Sequence, residues 1–229
     1  MLTQTVIRSG SIKQAATPTG VRPAGSNHSF DGGIDLMGAC MSFPRNAEIY
    51  GENEPADYLY KVVSGTVRTY KILTDGRRQI GAFYLPGDIF GLEIGDEHAF
   101  FAEAITESKV LVFKRSALVA LAASNNGVAQ QMWTMTGREL RRVQDHILLL
   151  IKSAQERVAG FLLEMADRVS SGNAVELPMS RQDIADYLGL TIETVSRTLT
   201  ILENSAAIEL TTSRRIVLRN RSALNRLNA

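Results

Sequence analysis

The sequence of 229 residues is poor in the side chains that carry most metal and redox chemistry, with one cysteine and three histidines. A single cysteine cannot form an internal disulfide or a cysteine-rich zinc site. It also cannot hold an iron–sulfur cluster, which draws on several thiolates. Excess charge of one sign is missing too. Lys and Arg number 25 against 24 Asp and Glu, a formal net charge of +1. Bulk attraction to nucleic acid is therefore not expected, although local basic patches are compatible with this balance. Long apolar runs are absent. The longest, Ile147-Leu148-Leu149-Leu150-Ile151, is far too short to span a bilayer. No continuous apolar stretch of the secretory kind opens the chain. The expected setting is soluble, cytoplasmic and reducing, with no membrane partner. The hydrophobic content of 45% is that of ordinary globular protein. A chain of this length can bury a real core in one large or two modest domains.

Residues 1–33 are rich in Ser, Thr, Gly, Pro and Ala and show neither helical nor strand period, which predicts a flexible N-terminal arm. From about Met37 to Phe113 the texture becomes short β-rich runs punctuated by glycine. Tyr58 to Val63 precedes Ser64-Gly65. Thr66 to Leu73 then alternates, with Val67, Thr69, Lys71 and Leu73 on one face and Arg68, Tyr70 and Ile72 on the other. Asp75-Gly76 is a strong hairpin turn, and Gln79 to Leu85 is the return strand. Pro86-Gly87-Asp88 turns again, and Ala102 to Ala104 and Lys109 to Phe113 read as further strands. Strands this short at this spacing indicate a small antiparallel barrel or sandwich.

Helices follow. Ser116 to Ala122 is short and is broken by Asn125-Asn126-Gly127. A long helix is predicted from Val128 to Ser153. Trp133, Leu140 and Ile147 fall at one heptad position of it, and Thr136, Val143 and Leu150 at the other. Such a seam suits a two-helix coiled coil, so a homodimer is expected through these six residues. Gln155 to Ser170 is helical, Ser171-Gly172-Asn173 ends it, and Val175-Glu176-Leu177 is a short strand.

Met179 to Leu210 is the most informative stretch. Ser180 followed by Asp183 resembles a capping box. The helix Arg181 to Leu188 ends in the turn Gly189-Leu190-Thr191, and Thr191 caps a second helix from Ile192 to Asn204. Two short helices joined by a glycine-containing turn form a helix-turn-helix. The outer face of the second carries Glu193, Ser196, Arg197 and Thr200. Arg suits guanine O6 and N7, and Glu can accept from cytosine N4. Ala207 to Leu210 and Arg215 to Leu218 then form a hairpin wing. Beyond Glu209 come Arg214, Arg215, Arg219, Arg221 and Arg226 with no acidic side chain. Such a basic end suits phosphate contacts, which position a protein on DNA without reading sequence. No nucleophile–base pair, phosphate-binding glycine loop or metal-ligand cluster is visible, and Asp88 and Glu93 read as turn residues. An enzyme is not expected.

Tyr60 to Val67, Asp75 to Ile80 and Leu85-Pro86-Gly87-Asp88-Ile89-Phe90-Gly91 together resemble the β-roll of the CRP/FNR transcription regulators. Met179 to Gly189 followed by Glu193-Thr194-Val195-Ser196-Arg197 resembles their DNA-binding motif. The order of the parts also matches, from about residue 35 to the end, and the FixK-type subgroup is the most similar. The resemblance implies an α+β protein. An antiparallel β-roll of the cyclic-nucleotide-binding type (34–127) would precede a dimerisation helix (128–153) and a C-terminal winged helix-turn-helix (154–229). It implies a homodimer reading a TTGAT-N4-ATCAA-like palindrome. Arg197, Glu193 and Ser196 would contact bases, with Ile192 at the edge. Ser180, Gln182, Thr191 and Thr194 would touch phosphates, joined by Arg214 and Arg215 of the basic end. Such regulators mainly activate transcription through RNA polymerase, in microaerobic or anaerobic respiration and nitrogen fixation.

Departures from the family bear on the input signal. The cyclic-nucleotide branch uses a Gly-Glu and an Arg-Ser pair, where this chain has Gly91-Leu92 and His98-Ala99-Phe100-Phe101. The phosphate would lose its charged partner, so no cyclic nucleotide is expected. Cys40 alone fails the cluster requirement and is expected to be a buried free thiol. Haem would need ligands from His28, His98, His146 or Cys40, and packed or exposed histidines are commoner. A regulator with no cofactor is expected, a ligand- or haem-gated one of the same fold being the alternative.

Overall fold

The computed structural model describes residues 38–169 and 173–228. The expected arm over 1–33, His28, and Ser171-Gly172 of the predicted helix stop lie outside the described residues. Eight strands form the N-terminal half: β1 (Ala39–Phe43), β2 (Glu48–Tyr50), β3 (Tyr58–Ser64), β4 (Val67–Ile72), β5 (Arg78–Tyr84), β6 (Ile89–Phe90), β7 (Phe101–Ala104) and β8 (Ser108–Lys114). They make two four-stranded sheets, ordered β1-β8-β3-β6 and β2-β7-β4-β5. Tyr50, Tyr60, Val62, Val67, Ala82, Tyr84, Phe90, Ala102 and Val110 pack between them. The β4–β5 hairpin closes at Asp75-Gly76, with Gly76 in the left-handed region at φ 82°. That conformation is what the Asp-Gly pair supplies without a Cβ clash.

The simple alternation expected along β4 does not survive. Its register with β5 shifts between Thr69 and Tyr70. Val67, Arg68 and Thr69 are all buried, because both faces of the strand are covered there. Cys40 is a second correction. It is exposed, since β1 pairs only with β8 and lies at the sheet edge with its outer residues in solvent.

The helices are α1 (Arg115–Ser124), α2 (Asn126–Leu150) and α3 (Ala154–Val169). The predicted three-residue break between the first two is a single residue. The Asn125 side chain accepts from the backbone N–H groups of Gly127 and Val128 and so starts α2 at once. α2 stops three residues before the predicted end at Ser153. There Ser153 and Glu156 bond reciprocally, Ser153 N to Glu156 Oε2 at 2.7 Å and Glu156 N to Ser153 Oγ at 3.4 Å, and open α3. The C-terminal part adds β9 (Ala174–Glu176), α4 (Arg181–Leu188), α5 (Ile192–Asn204), β10 (Ile208–Leu210), β11 (Arg215–Leu218) and α6 (Arg221–Asn228). The strands form a sheet ordered β10-β11-β9.

Ile80 and Phe83 of β5 and Ile105 share one core with Phe161, Leu162 and Met165 of α3, Leu188 of α4 and Leu199 and Leu202 of α5. Each such buried side chain contributes about 1.5–3 kcal/mol of burial. The roll and the C-terminal part are therefore packed on each other. Among the described residues no helix is long and apolar enough to cross a membrane.

Candidate nucleic-acid interface

α4 and α5 take their limits from side chains that bond backbone. Ser180 caps α4 in a complete capping box with Asp183, and Gly189 ends the helix at φ 61°. Thr191 caps α5, accepting from Thr194 N at 3.2 Å. Ile184, Ala185, Leu188, Val195, Leu199 and Leu202 are buried, so the opposite face of α5 points outward. Glu193, Arg197 and Thr200 are exposed on it, and Ile192 is 37% exposed. No ion pair joins Glu193 to Arg197 among the described residues. The Glu193 carboxyl is held below its usual value first by its own backbone N–H, then by the Thr191 hydroxyl, with Arg197 a smaller pull. Both side chains remain available to a partner.

Ser196 differs from its neighbours. It is half-buried, and its hydroxyl accepts from Arg181 Nη1 at 3.3 Å. No local sequence pattern marks Arg181 for this contact. Gln182, Thr191, Arg214 and Arg215 are exposed, and Ser180 and Thr194 are half-buried. The Thr191 and Thr194 hydroxyls lie 3.1 Å apart.

The basic end is less free than its composition implies. Arg219 Nε donates to Glu209 Oε2 at 2.6 Å, and Arg221 pairs with Asp167. The last residues are the helix α6, whose Leu224 is fully buried. Arg214 and Arg215 sit on the wing with exposed side chains.

α2 carries two different faces. Trp133, Leu140, Val143 and Ile147 are 80%, 58%, 45% and 57% exposed, and Thr136 is exposed with them. Leu150 is half-buried beside Gly189. The opposite face is partly polar and packs on the protein itself. Arg142 stacks over the Tyr84 ring at 4.3 Å, pairs with Glu139 and donates to Phe83 O at 3.2 Å. His146 bonds Tyr187 O at 2.9 Å and stacks on the Tyr187 ring at 4.0 Å.

Inside the roll, His98 is buried and stacks on Tyr50 at 3.6 Å, with Nδ1 3.4 Å from Glu93 Oε1. Tyr60, Tyr84 and Phe90 complete this aromatic cluster. Burial pushes the Tyr60 and Tyr84 hydroxyls up to about 12, so both stay neutral. The residues present do not fit a cyclic nucleotide. No arginine lies between Gly91 and Phe101, and Tyr50, Tyr60, Tyr84 and Phe90 pack with five aliphatic side chains between the sheets. His98 and His146, two of the histidines a haem would need, are engaged in ring stacking. Among the described residues no group of three or more His, Cys, Asp or Glu is placed to hold a metal.

Ion pairs join the two halves. Arg68 bridges Glu103 at 2.8 Å and Asp183 at 2.5 Å, and Arg78 bridges Asp183 and Asp186, each at 2.7 Å. Arg168 of α3 reaches Asp88 of the roll at 2.5 Å. These pairs are distant in sequence, and no local pattern announces them.

A β-roll followed by a long helix and a winged helix-turn-helix defines a DNA-binding transcription regulator. The comparisons agree. The family model of the cyclic nucleotide-binding domain matches residues 40–125, and that of the Crp-like helix-turn-helix domain matches 156–227. The chain is 53% identical over 202 residues to the nitrogen fixation regulation protein FixK of Azorhizobium caulinodans, covering 86% of this chain and 82% of that protein. It is 44% identical over 197 residues to that of Rhizobium meliloti, covering 82% and 90%. The solved structure of FixK2 from Bradyrhizobium japonicum aligns with a TM-score of 0.81 at 53% identity, over 85% of this chain and 98% of that one. The chain belongs to the CRP/FNR family of transcription regulators, in its FixK-type branch, and is not an enzyme.

Proposed function

We propose that the protein is a cytoplasmic homodimer that reads a TTGAT-N4-ATCAA-like palindrome and mainly activates transcription through RNA polymerase. Its targets are genes of nitrogen fixation, in keeping with the names of its relatives, and of microaerobic or anaerobic metabolism. It divides into a roll (34–127), a dimerisation helix (128–153) and a DNA-binding domain (154–229). The exposed Glu193 and Arg197 on the outer face of α5, with no ion pair among the described residues, carry this reading. Arg197 takes the guanine in a bidentate pair, Glu193 accepts from the cytosine amino group, and Ser196 faces a thymine-bearing pair with Ile192 beside it. Ser180, Gln182, Thr191, Thr194, Arg214 and Arg215 hold phosphates. The outer apolar face of α2 is the dimer seam, through Trp133, Thr136, Leu140, Val143, Ile147 and Leu150. No small-molecule effector is needed, which the packing of His98 and the aromatic side chains inside the roll supports.

Arg197→Ala tests the base assignment. One bidentate contact is lost in each half-site, at about 1–3 kcal/mol each. Preference for the palindrome over a scrambled duplex is expected to vanish, leaving weak, salt-sensitive binding. A retained preference in a competition titration refutes the assignment.

A further inference from the structure

Asp183 and Asp186 each divide their two carboxylate oxygens between the halves of the molecule. Asp183 Oδ1 accepts from Arg68 Nη1 at 2.5 Å and from Arg78 Nη2 at 2.7 Å. Its Oδ2 accepts from Ser180 N at 3.0 Å and from the Ser180 hydroxyl at 2.7 Å. Asp186 Oδ2 accepts from Arg78 Nε at 2.7 Å, and its Oδ1 accepts from Gln182 Nε2 at 2.6 Å. Two chains of hydrogen bonds thus run from the roll to the start of the helix-turn-helix, one ending at Ser180 and the other at Gln182.

We propose that Arg68 and Arg78 are positioning residues for DNA reading, orienting Ser180 and Gln182 through Asp183 and Asp186. This rests on the reading of Ser180 and Gln182 as phosphate contacts.

The arginines are well placed to hold rather than to bind. Arg68 lies within β4, and its other terminal nitrogen is fixed by Glu103 of β7. The Arg68 and Asp183 side chains are only 10% and 7% exposed, so water screens their attraction little. Arg78 opens β5, the strand whose Ile80 and Phe83 enter the shared core. Gln79 adds a bond from Nε2 to Tyr187 O at 3.3 Å. The start of α4 is therefore referenced to the sheet at several points. A carboxylate engaged on both oxygens has one orientation. Without its arginine, Asp186 is free to rotate and Gln182 loses its fixed partner.

The test uses the full chain and a labelled palindromic duplex, with Arg78→Ala, Gln182→Ala and the double variant. Arg78→Ala is expected to weaken binding roughly tenfold. The slope of log affinity against log salt is expected to stay unchanged, because no phosphate contact of Arg78 itself is lost. The double variant is expected to bind no more weakly than the weaker single one, because both changes break the same chain. Unchanged affinity for Arg78→Ala overturns the proposal. So does a shallower salt slope, which makes Arg78 a direct phosphate contact, and so do additive losses. The same cycle with Arg68→Met and Ser180→Ala tests the second chain. If Arg78→Ala does not fold, Arg78→Lys keeps the charge while losing the two-point geometry, and the same readouts apply. An unaltered chain with no preference for the palindrome removes the functional reading and this proposal together. A preference with additive losses removes this proposal alone.

Discussion

The two long faces of α2 invert the usual arrangement. The face that packs on the protein runs through Val128, Met132, Met135, Glu139, Arg142, His146 and Leu149, every one of them buried or half-buried. Three of these seven are polar or charged, and all three bond Tyr84, Phe83 or Tyr187. The face left in solvent is largely apolar, with Trp133, Leu140, Val143 and Ile147. Apolar side chains at strict coiled-coil spacing gain nothing in water, and that favours a second helix against them. The polar inner face has a different consequence. Its hydrogen bonds are directional, so they fix the helix in one rotation against the roll and against α4. The outer face is the proposed seam between copies of the chain, and the inner face holds α2 against the roll and α4.

The largest expected effect comes from breaking the outer face. Leu140→Glu with Ile147→Glu places four like charges in the proposed dimer seam and is expected to give a monomer by light scattering, with selective DNA binding lost. A dimeric mass counts against the seam. On the inner face, Arg142→Ala removes the cation over Tyr84, the partner of Glu139 and one of two donors to Phe83 O, the other being Arg168. A loss of about 1–3 kcal/mol in denaturant unfolding is expected, as for removing a half-buried cation with its ring and hydrogen-bond contacts. A loss below about 0.5 kcal/mol would show that the polar inner face does not anchor the helix.

The smallest effect is one of pH. Burial lowers the pKa of both His146 and His98 from 6.5. Tyr187 O and Glu164 oppose this at the first, while Arg142 adds to it. Glu93 opposes it at the second. The unfolded chain then binds more protons than the folded one as pH falls through its ordinary histidine range. The stability these residues contribute is complete above about pH 7.5 and is lost progressively as pH drops through 6.5 toward the lower folded values. The melting temperature is expected to fall between about pH 7.5 and 5.5, and less so in His146→Gln. An equal fall in His146→Gln assigns the effect to other groups.

Much of this architecture was legible because it is local. The Asp75-Gly76 turn, the Ser180–Asp183 capping box, Gly189 and the Thr191 cap are short-range chemistry, and all stand as read. The outer heptad of α2 was legible because it is apolar. The inner one was not, since Glu139, Arg142 and His146 add no apolar period, and their partners Tyr84, Phe83 and Tyr187 are distant in sequence. Strands β1, β2 and β6 were missed because they are short and carry no clear alternation, and the burial of Cys40 was wrongly expected for want of that edge strand. At the candidate site, the exposed face of α5 followed from its periodicity. The restraint of Ser196 by Arg181 did not, and neither did the loss of Arg219 and Arg221 to ion pairs. Those depend on which side chains tertiary packing brings together.

The most direct test is fluorescence anisotropy of a labelled TTGAT-N4-ATCAA duplex titrated with the purified protein without any added ligand. A scrambled duplex is run beside it at two salt concentrations. Selective binding at two chains per duplex, with the scrambled site much weaker and more salt-sensitive, is the predicted result. Equal affinity for both duplexes, or selectivity that appears only when cyclic AMP or haem is added, would contradict it.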